Sequence, residues 1–250
     1  MSELLRTESL RRRFGELIAV DGVTLSFEGG ILTSIIGPNG AGKTTLINLL
    51  TGSLPPDSGK ILFKGEDITG IPTEKRVKKG ISRSFQIMNI FPRLTVFQNV
   101  LLPVFSCLNK SMRPFSSVQH HQDAVAEAER ILEDVGLWGK RDLPSGKLSH
   151  GDQRLLEMGL AVAAEPELCF LDEPSSGLNP VERVRVLELI KKMATAGKTT
   201  FVVVEHDMDV VFSLSDRIIV MSLGRMLAEG EPTEIRENKE VREIYLGEEL

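Results

Sequence analysis

Two segments carry the residue types of phosphoryl chemistry. In "GPNGAGKT", Gly37, Gly42, Lys43 and Thr44 have the spacing of a phosphate-binding loop, and the segment runs from an apolar stretch into a helical pattern. Across Gly37, Pro38, Asn39, Gly40, Ala41 and Gly42 the glycines let the backbone turn its N–H groups towards one anion, Pro38 itself offering none, and the helix start beyond them adds the positive end of a dipole. Lys43 would reach β- and γ-phosphate oxygens; Thr44 offers a hydroxyl to magnesium, with Thr45 beside it. In "ELCFLDEP" an apolar run ends in Asp172 and Glu173. Adjacent carboxylates at the carboxyl end of a parallel strand lie on the ligand-binding edge of the sheet. Asp172 suits magnesium, usually through water, and Glu173 suits a general base that polarises an attacking water. Alone, Asp-Glu after a strand is an ordinary turn or helix-start signal; the upstream loop gives it chemistry.

Three further signals need context. His206 follows "TTFVVVE" at another strand end and could donate to a γ-phosphate, although a histidine there is commonly a surface or capping residue. Gln86 follows "ISRSF", where an amide oxygen could join a magnesium shell and sense the segment beyond it. "KLSHGDQR", residues 147–154, holds Ser149, His150 and Asp152, the residue types of a nucleophilic triad. Near neighbours diverge, however, whereas a triad gathers its members from distant parts of the chain. Ser149 instead fits the N-cap of the helix implied by Leu155, Leu156, Met158 and Leu160. His120 and His121 have no Cys or carboxylate array around them at ligand spacing, so no metal site is expected there.

These residues require strand ends and helix starts beneath them. Apolar patterning predicts strands over residues 4–12, 22–27 and 31–36, separated by turn signals at Asp21-Gly22 and Gly29-Gly30. A helix over 43–50, a turn at "PPDSGK" and strands at "ILFKG" and "ISRSF" follow. From Gln86 to about Ala164 strand signals thin out. Val125, Ala128, Ile131, Leu132 and Val135 there predict a helix over 119–135, as in a helical insertion. Strands return at "ELCFLD", "TTFVVVE" and "RIIVM", alternating with helices near 181–194 and 208–213. That is the pattern of a largely parallel sheet covered on both faces, hence an α/β fold. From Glu231 onwards the chain reads as a charged helical tail.

Composition narrows the class. The 250 residues are 41% hydrophobic and 26% charged, enough for a substantial core. A net charge of -5 offers no basic face for nucleic acid, and the run Arg11, Arg12, Arg13 reads as a solvated strand face. Cys107 and Cys169 lie far apart and imply buried thiols in a reducing compartment rather than a disulfide framework. Glu3, Arg6, Glu8 and Arg11 exclude the apolar core of a signal peptide at the start of the chain. The longest uncharged run, residues 94–109, is broken by Gln98, Asn99 and Pro103 and falls short of a span.

In order and over nearly the whole chain, "GPNGAGKTT", Gln86, "LSHGDQ", "CFLDEP", "SSGLN" and His206 resemble the nucleotide-binding subunit of ABC transporters. The resemblance implies a P-loop NTPase, RecA-like α/β core with a mostly parallel sheet, an N-terminal antiparallel β subdomain and a helical insertion. It implies a single ABC ATPase domain, with about residues 1–85 and 165–250 in the β and RecA-like core, about 86–164 in the helical subdomain, and 231–250 as a tail. ATP and Mg2+ are the implied ligands. Leu148, Ser149, His150, Gly151 and Asp152 fall on a signature usually written Leu-Ser-Gly-Gly-Gln, with His150 at its first glycine and Asp152 at its glutamine; Asn179 replaces a common aspartate in "SSGLN". Members dimerise head to tail, so Ser149 and the Gly151 amide would bind the γ-phosphate of ATP held by the other chain's loop; capping and function then coincide. The mapping gives Lys43, Glu173 and His206 catalytic roles, and Thr44, Gln86 and Asp172 the magnesium shell. Phe14 falls on the aromatic that stacks on adenine, a buried strand aromatic being the alternative.

The spellings "LSHGDQRLLE", "LDEPSSGLNP", "VVEHDMDVV" and "REIYLGEEL" are similar to ATPases of importers for branched-chain amino acids, urea and short amides. Lipopolysaccharide-exporting ABC ATPases share the general motifs. A soluble ABC ATPase of repair or translation would be expected to show two fused cassettes, a coiled-coil insertion or a basic face, and a P-loop kinase has no use for the signature. The implied partners are integral membrane permease subunits, a second ATPase subunit (a copy or a sister chain) and, indirectly, an extracytoplasmic solute-binding protein, at the cytoplasmic face of the inner membrane. "IMNIFPRLTVF" carries Ile87, Met88, Ile90, Phe91, Leu94, Val96 and Phe97, more than one helix face buries. It is expected to contribute a groove for a cytoplasmic helix of the permease, or else to be buried in the insertion.

Overall fold

The computed structural model describes residues 2–84, 90–107 and 122–246. Gln86, Ile87, Met88, His120 and His121 lie outside them.

The chain opens as an antiparallel sheet. β1 (Glu3–Phe14) turns at Gly15 and Glu16 into β2 (Leu17–Val23), and β3 (Ser26–Glu28) pairs with the first part of β1. β4 (Thr33–Ile36) leaves for a second sheet and leads into α1 (Lys43–Leu50). β5 (Ser58–Phe63) returns to β1, and β6 (Glu66–Asp67) pairs with β5. Asp21 and Gly22, expected as a turn, lie inside β2. Leu10 opposes Val23 and Arg12 opposes Val20, so β2 carries one extra residue there. Gly22 absorbs it at φ 67°, which makes the pair a bulge rather than a reversal.

The remaining elements are α2 (Thr73–Lys78), β7 (Ile81–Ser84), α3 (Val96–Cys107), α4 (Gln122–Asp134), α5 (His150–Val162), β8 (Leu168–Asp172), α6 (Pro180–Thr195), β9 (Thr200–Val204), α7 (Met208–Leu214), β10 (Arg217–Ser222), β11 (Arg225–Gly230), α8 (Pro232–Glu237) and α9 (Lys239–Leu246). The second sheet has the order β11-β10-β4-β9-β8-β7, parallel except for β11 at its edge. Among the described residues no helix is long and apolar enough to cross a membrane.

β8 and β9 are buried along their whole length, and the two-residue pleat divides them between two cores. Leu168, Phe170, Val202 and Val204 join Leu46 and Leu50 of α1 and Leu5, Phe27 and Ile61 of the antiparallel sheet. Cys169, Leu171, Phe201 and Val203 face the opposite layer, against Leu156 of α5, Ile190 of α6, Val100 of α3 and Ile131 of α4. Burial pushes the Cys169 thiol up to about 12, so it is an inert apolar filler. A third, smaller core of Val211, Ile218, Val220, Ile235 and Val241 seats α8 and α9.

One buried cation joins α1 to the β-layer without a carboxylate. Arg76 is 1% exposed. Its Nη1 donates to the Leu49 and Leu50 carbonyls at the end of α1, its Nε to Ile71, and its Nη2 to Ile68 and Thr69, at 2.7–3.0 Å. Burial lowers its pKa to about 10, so it stays charged at neutral pH. The fork closes the carbonyl end of the helix that begins at the phosphate-type loop. Replacing Arg76 with Met strands five carbonyl contacts and is expected to cost about 3 kcal/mol, read as a melting midpoint about 10 °C lower. Arg76→Lys should recover only part, because an ammonium cannot reproduce the planar fork. An unchanged midpoint for Arg76→Met would refute this role.

Candidate functional site

Strand order explains why distant motifs meet. β4, β9 and β8 are neighbours, and their carboxyl ends lead into residues 37–44, into Glu205 and His206, and into Asp172 and Glu173 respectively. The three segments therefore share one sheet edge, where open α/β sheets bind ligands.

The loop needs its glycines for steric reasons that the structure makes specific. Gly37 has φ 155°, and a Cβ there would lie 2.3 Å from the Met221 carbonyl oxygen. Gly42 N-caps α1 at φ 96°, and a Cβ there would lie 2.1 Å from the Ala19 carbonyl oxygen. The surrounding backbone is stitched together: Asp21 N–H donates to Gly224 O at 2.8 Å and Gly224 N–H to Ala41 O at 3.1 Å. The β2 bulge and the β10–β11 turn thus hold the loop from two sides. No acidic residue occupies the first turn of α1, leaving its amides and dipole end to a ligand. Asn39, Gly40 and Thr44 are exposed, Pro38 and Thr45 half-buried, and Ala41 buried. Lys43 Nζ donates to the carbonyls of Gly37 (2.5 Å) and Pro38 (3.0 Å). Burial pulls its pKa below the usual range, while Glu173 and Asp172 oppose that shift, so both carboxylates lie within electrostatic reach of the loop lysine.

Asp172 closes β8 and is buried. Arg83 of β7 bridges it to α1, with Nη2 donating to Asp172 Oδ2 at 2.7 Å and Nη1 to Asn48 Oδ1 at 2.5 Å. Glu173 occupies the left-handed region at φ 46°. Its N–H donates to Val204 O at 2.9 Å and its carbonyl accepts from Ser176 N–H at 3.1 Å, which imposes that conformation. Glu173 Oε1 lies 3.9 Å from Nδ1 of the exposed His206. Beneath them Glu205 is 1% exposed; its Oε1 accepts from Ser175 N–H (3.1 Å) and Ser175 Oγ–H (2.7 Å), and its buried Oε2 has no hydrogen-bond partner among the described residues.

Ser149 is the N-cap of α5: its Oγ accepts from Asp152 N–H at 3.2 Å and donates to Asp152 Oδ2 at 2.9 Å. Asp152 also pairs with Lys140 and lies 3.8 Å from Arg185. Burial pushes the Asp152 carboxyl up, but the bonds from Lys140 and Ser149 and the charges of Lys140 and Arg185 outweigh it and hold it below its usual range. Gly151 N–H donates to Glu182 Oε1 at 3.2 Å, and a Cβ at Gly177 would lie 3.6 Å from His150 Cε1. The signature thus contacts the segment that follows Glu173. Among the described residues no hydrogen bond or ion pair joins Ser149 or Gly151 to residues 37–44 of the same chain.

Phe14 is 45% exposed at the β1–β2 hairpin beside Leu17 and Ile18, with the Arg12 guanidinium 5.1 Å from its ring centre, so the buried-aromatic alternative fails.

A family model described as ABC transporter matches residues 20–176. The high-affinity branched-chain amino acid transport ATP-binding protein BraF of Pseudomonas aeruginosa is 39% identical over 250 residues, spanning 98% of each chain. The corresponding LivG of Escherichia coli is 38% identical over 252 residues, again with 98% of each chain covered. The chain belongs to the ABC transporter ATP-binding family. Solved structures match as well. The ADP conformation of an ATP-binding cassette of an ABC transporter superposes with a TM-score of 0.85 at 35% identity, over 99% of this chain and 100% of that one. A nucleotide-free cassette gives 0.84 at 34%, over 98% and 99%. A second family model, described as branched-chain amino acid ATP-binding cassette transporter, matches residues 225–250.

As an ABC ATPase subunit, the protein binds ATP and hydrolyses it in the service of membrane permease partners. Sequence reasoning missed several residues that position this ABC site. Arg83, Asn48, Ser175 and Glu205 hold the carboxylate edge, and Glu182 reaches the signature. Only Glu205 left a trace, as a charge closing the apolar run "TTFVVVE". Its burial depends on Ser175, thirty residues away, which no local pattern marks.

Proposed function

We propose that this ABC ATPase energises an importer of branched-chain amino acids, urea or related amides, as one domain divided near residues 86–164 into a helical part and at residues 231–250 into a tail. Near-full-length similarity to BraF and LivG, extending through the tail match at residues 225–250, carries the substrate class. The subunit pairs head to tail with a second copy or a sister ATPase at the cytoplasmic face of the inner membrane, and an extracytoplasmic solute-binding protein feeds the permease. Backbone N–H groups of residues 37 and 39–45, with the Lys43 side chain, take the phosphates, Pro38 helps shape the loop, Phe14 takes adenine, and Ser149 and Gly151 meet the γ-phosphate of the partner-held nucleotide. Lys43 leaves the Gly37 and Pro38 carbonyls to do so. Glu173, pinned by its backbone, orients the attacking water, and His206 contacts the γ-phosphate.

The Thr44 hydroxyl and the buried Asp172 carboxylate are hard oxygen donors, the set Mg2+ accepts alongside nucleotide phosphates, so these residues fit the ion; Gln86 is the third candidate. When bound, Mg2+ neutralises charge on the phosphates. Reconstitution with the permease chains and uptake of labelled leucine, isoleucine, valine, urea and acetamide tests the substrate class. Uptake of none of these would sink it.

In this reading the permease docks at the edge that carries Phe91. Its side chain is 57% exposed, while its backbone is pinned: N–H donates to Asn99 Oδ1 at 2.7 Å, and its carbonyl accepts from Ser145 Oγ at 2.9 Å. Ile90 and Phe97 pack on the core, so residues 90–97, the described part of the stretch, are divided between core and surface. Phe91→Glu is expected to lower coupled transport at least about tenfold by desolvating a charge at the interface. ATPase activity of the isolated subunit should stay within about twofold of wild type. Loss of both activities together would assign Phe91 to folding instead.

A further inference from the structure

The amide that would receive a partner-held phosphate already has an anion on it. Gly151 N–H, at the start of α5, donates to Glu182 Oε1 at 3.2 Å. The contact is close: a Cβ on Gly151 would lie 2.5 Å from Glu182 Cδ and 2.6 Å from its Oε1. The second carboxylate oxygen accepts from Asn179 N–H at 3.4 Å, and Asn179 Oδ1 accepts from the Val181 and Glu182 amides, both at 3.0 Å. One side chain therefore closes the capping box of α6 and reaches across to the N-terminus of α5. The neighbouring donor is also taken, since Ser149 Oγ–H bonds to Asp152 Oδ2. A carboxylate and a phosphate oxygen compete for one N–H and for one positive helix end, and they repel each other.

We infer that Glu182 is a displaceable intramolecular anion that occupies the Gly151 amide until the γ-phosphate of a partner-held ATP replaces it, and so sets the ATP concentration at which the dimer closes. This rests on the reading of Ser149 and Gly151 as the surface that meets the other chain's nucleotide. The release is local. Glu182 lies three residues beyond Asn179, the end of the "SSGLN" segment whose Gly177 lies against His150, so its departure removes one tie between the α5 start and the α6 start and leaves the Arg185–Asp152 ion pair as another. Each closed dimer requires two such exchanges, one per site. The exposed Val181 and Val184 beside Glu182 place this corner of α6 at the surface, where an incoming chain can reach it.

The test uses full-length protein carrying Glu173→Gln, so that hydrolysis does not drain the dimer, and measures dimerisation by gel filtration or light scattering against ATP concentration. Glu182→Ala removes the anion and its acceptor; Glu182→Gln keeps an acceptor but no charge. The half-maximal ATP concentration is expected to fall roughly tenfold with Ala, the worth of one charge-assisted hydrogen bond, and less with Gln. Glu188→Gln, which removes a charge from the exposed side of α6, should leave it unchanged. Should Glu182→Ala fold poorly through loss of the capping box, Glu182→Gln still decides, because its one carbonyl oxygen can accept from Asn179 N–H and keep the box closed while the charge facing Gly151 is gone. An unchanged or higher ATP requirement for the folded variants overturns the inference, as does an equal shift with Glu188→Gln. If the Glu173→Gln protein dimerises with ATP neither with itself nor with its sister ATPase, the trans-nucleotide reading fails instead, and the two failures are distinct.

Discussion

Glu173→Gln is expected to bind ATP with near-normal affinity and to hydrolyse it roughly a thousandfold more slowly than wild type, the scale on which a positioned general base contributes. The amide preserves the shape of the side chain and cannot accept a proton. The backbone around it does not depend on the carboxylate: φ 46° is imposed by the bond from Glu173 N–H to Val204 and by the Ser176 N–H that caps its carbonyl. Ser175 is held in turn by Glu205. Folding and magnesium geometry should survive, and gel filtration with ATP should show a lasting dimer. His206 is exposed, and its Nδ1 lies 3.9 Å from Glu173 Oε1, too far for a hydrogen bond, so the substitution breaks no hydrogen bond between them. Wild-type turnover by the variant would remove Glu173 from the mechanism.

The second large effect concerns two inactive variants. Lys43→Ala removes the only lysine of the phosphate loop, and Gly151→Asp sets a carboxylate where the γ-phosphate is expected. Each alone should lose at least about a hundredfold in ATPase activity. The atoms a Gly151 side chain meets belong to the end of Glu182, a flexible side chain, so the substitution rearranges that contact rather than the fold, and circular dichroism should confirm an intact variant. If the signature serves the other chain's nucleotide, a mixed dimer gathers both defects in one site and leaves the other whole. Activity then returns on mixing, with a maximum near equal proportions. If the signature serves its own chain, every site keeps one defect and the profile stays flat. Flatness despite demonstrated subunit exchange refutes the trans arrangement. In an obligate pair with a sister ATPase, the same defects are divided between the sisters.

The chemistry-bearing segments were legible because their requirements are local. Residues 43–50 form a helix behind the phosphate loop as the pattern predicts, and Ser149 caps α5 as its position before an apolar periodic run predicts. The doubly buried strands "LCFLD" and "TFVVV" read as continuous apolar runs because both faces of the sheet are covered. Elements without such a signal went unread. α2, "TEKRVK", is short and polar, and it is fixed by the inward turn of Arg76. β11, "RMLAEG", is a half-exposed edge strand recognisable only through its pairing with β10.

The sequence by itself determined which residues can handle a phosphate and which strand ends and helix starts present them, because glycine spacing, capping and apolar period act over a few residues. It also carried the family, through the order of its motifs. Tertiary structure alone decided the rest. Strand order β4-β9-β8 brought three separate segments to one edge. The Ala19 and Met221 carbonyls, from β2 and β10, decided why Gly42 and Gly37 admit no side chain. Arg76 became a buried helix cap, Asp21-Gly22 a bulge, and Glu182 the anion on the signature amide. Each depends on a partner distant in the chain or on the register of a strand, and such partners are chosen by packing and by the need to satisfy buried polar groups, which no local pattern records.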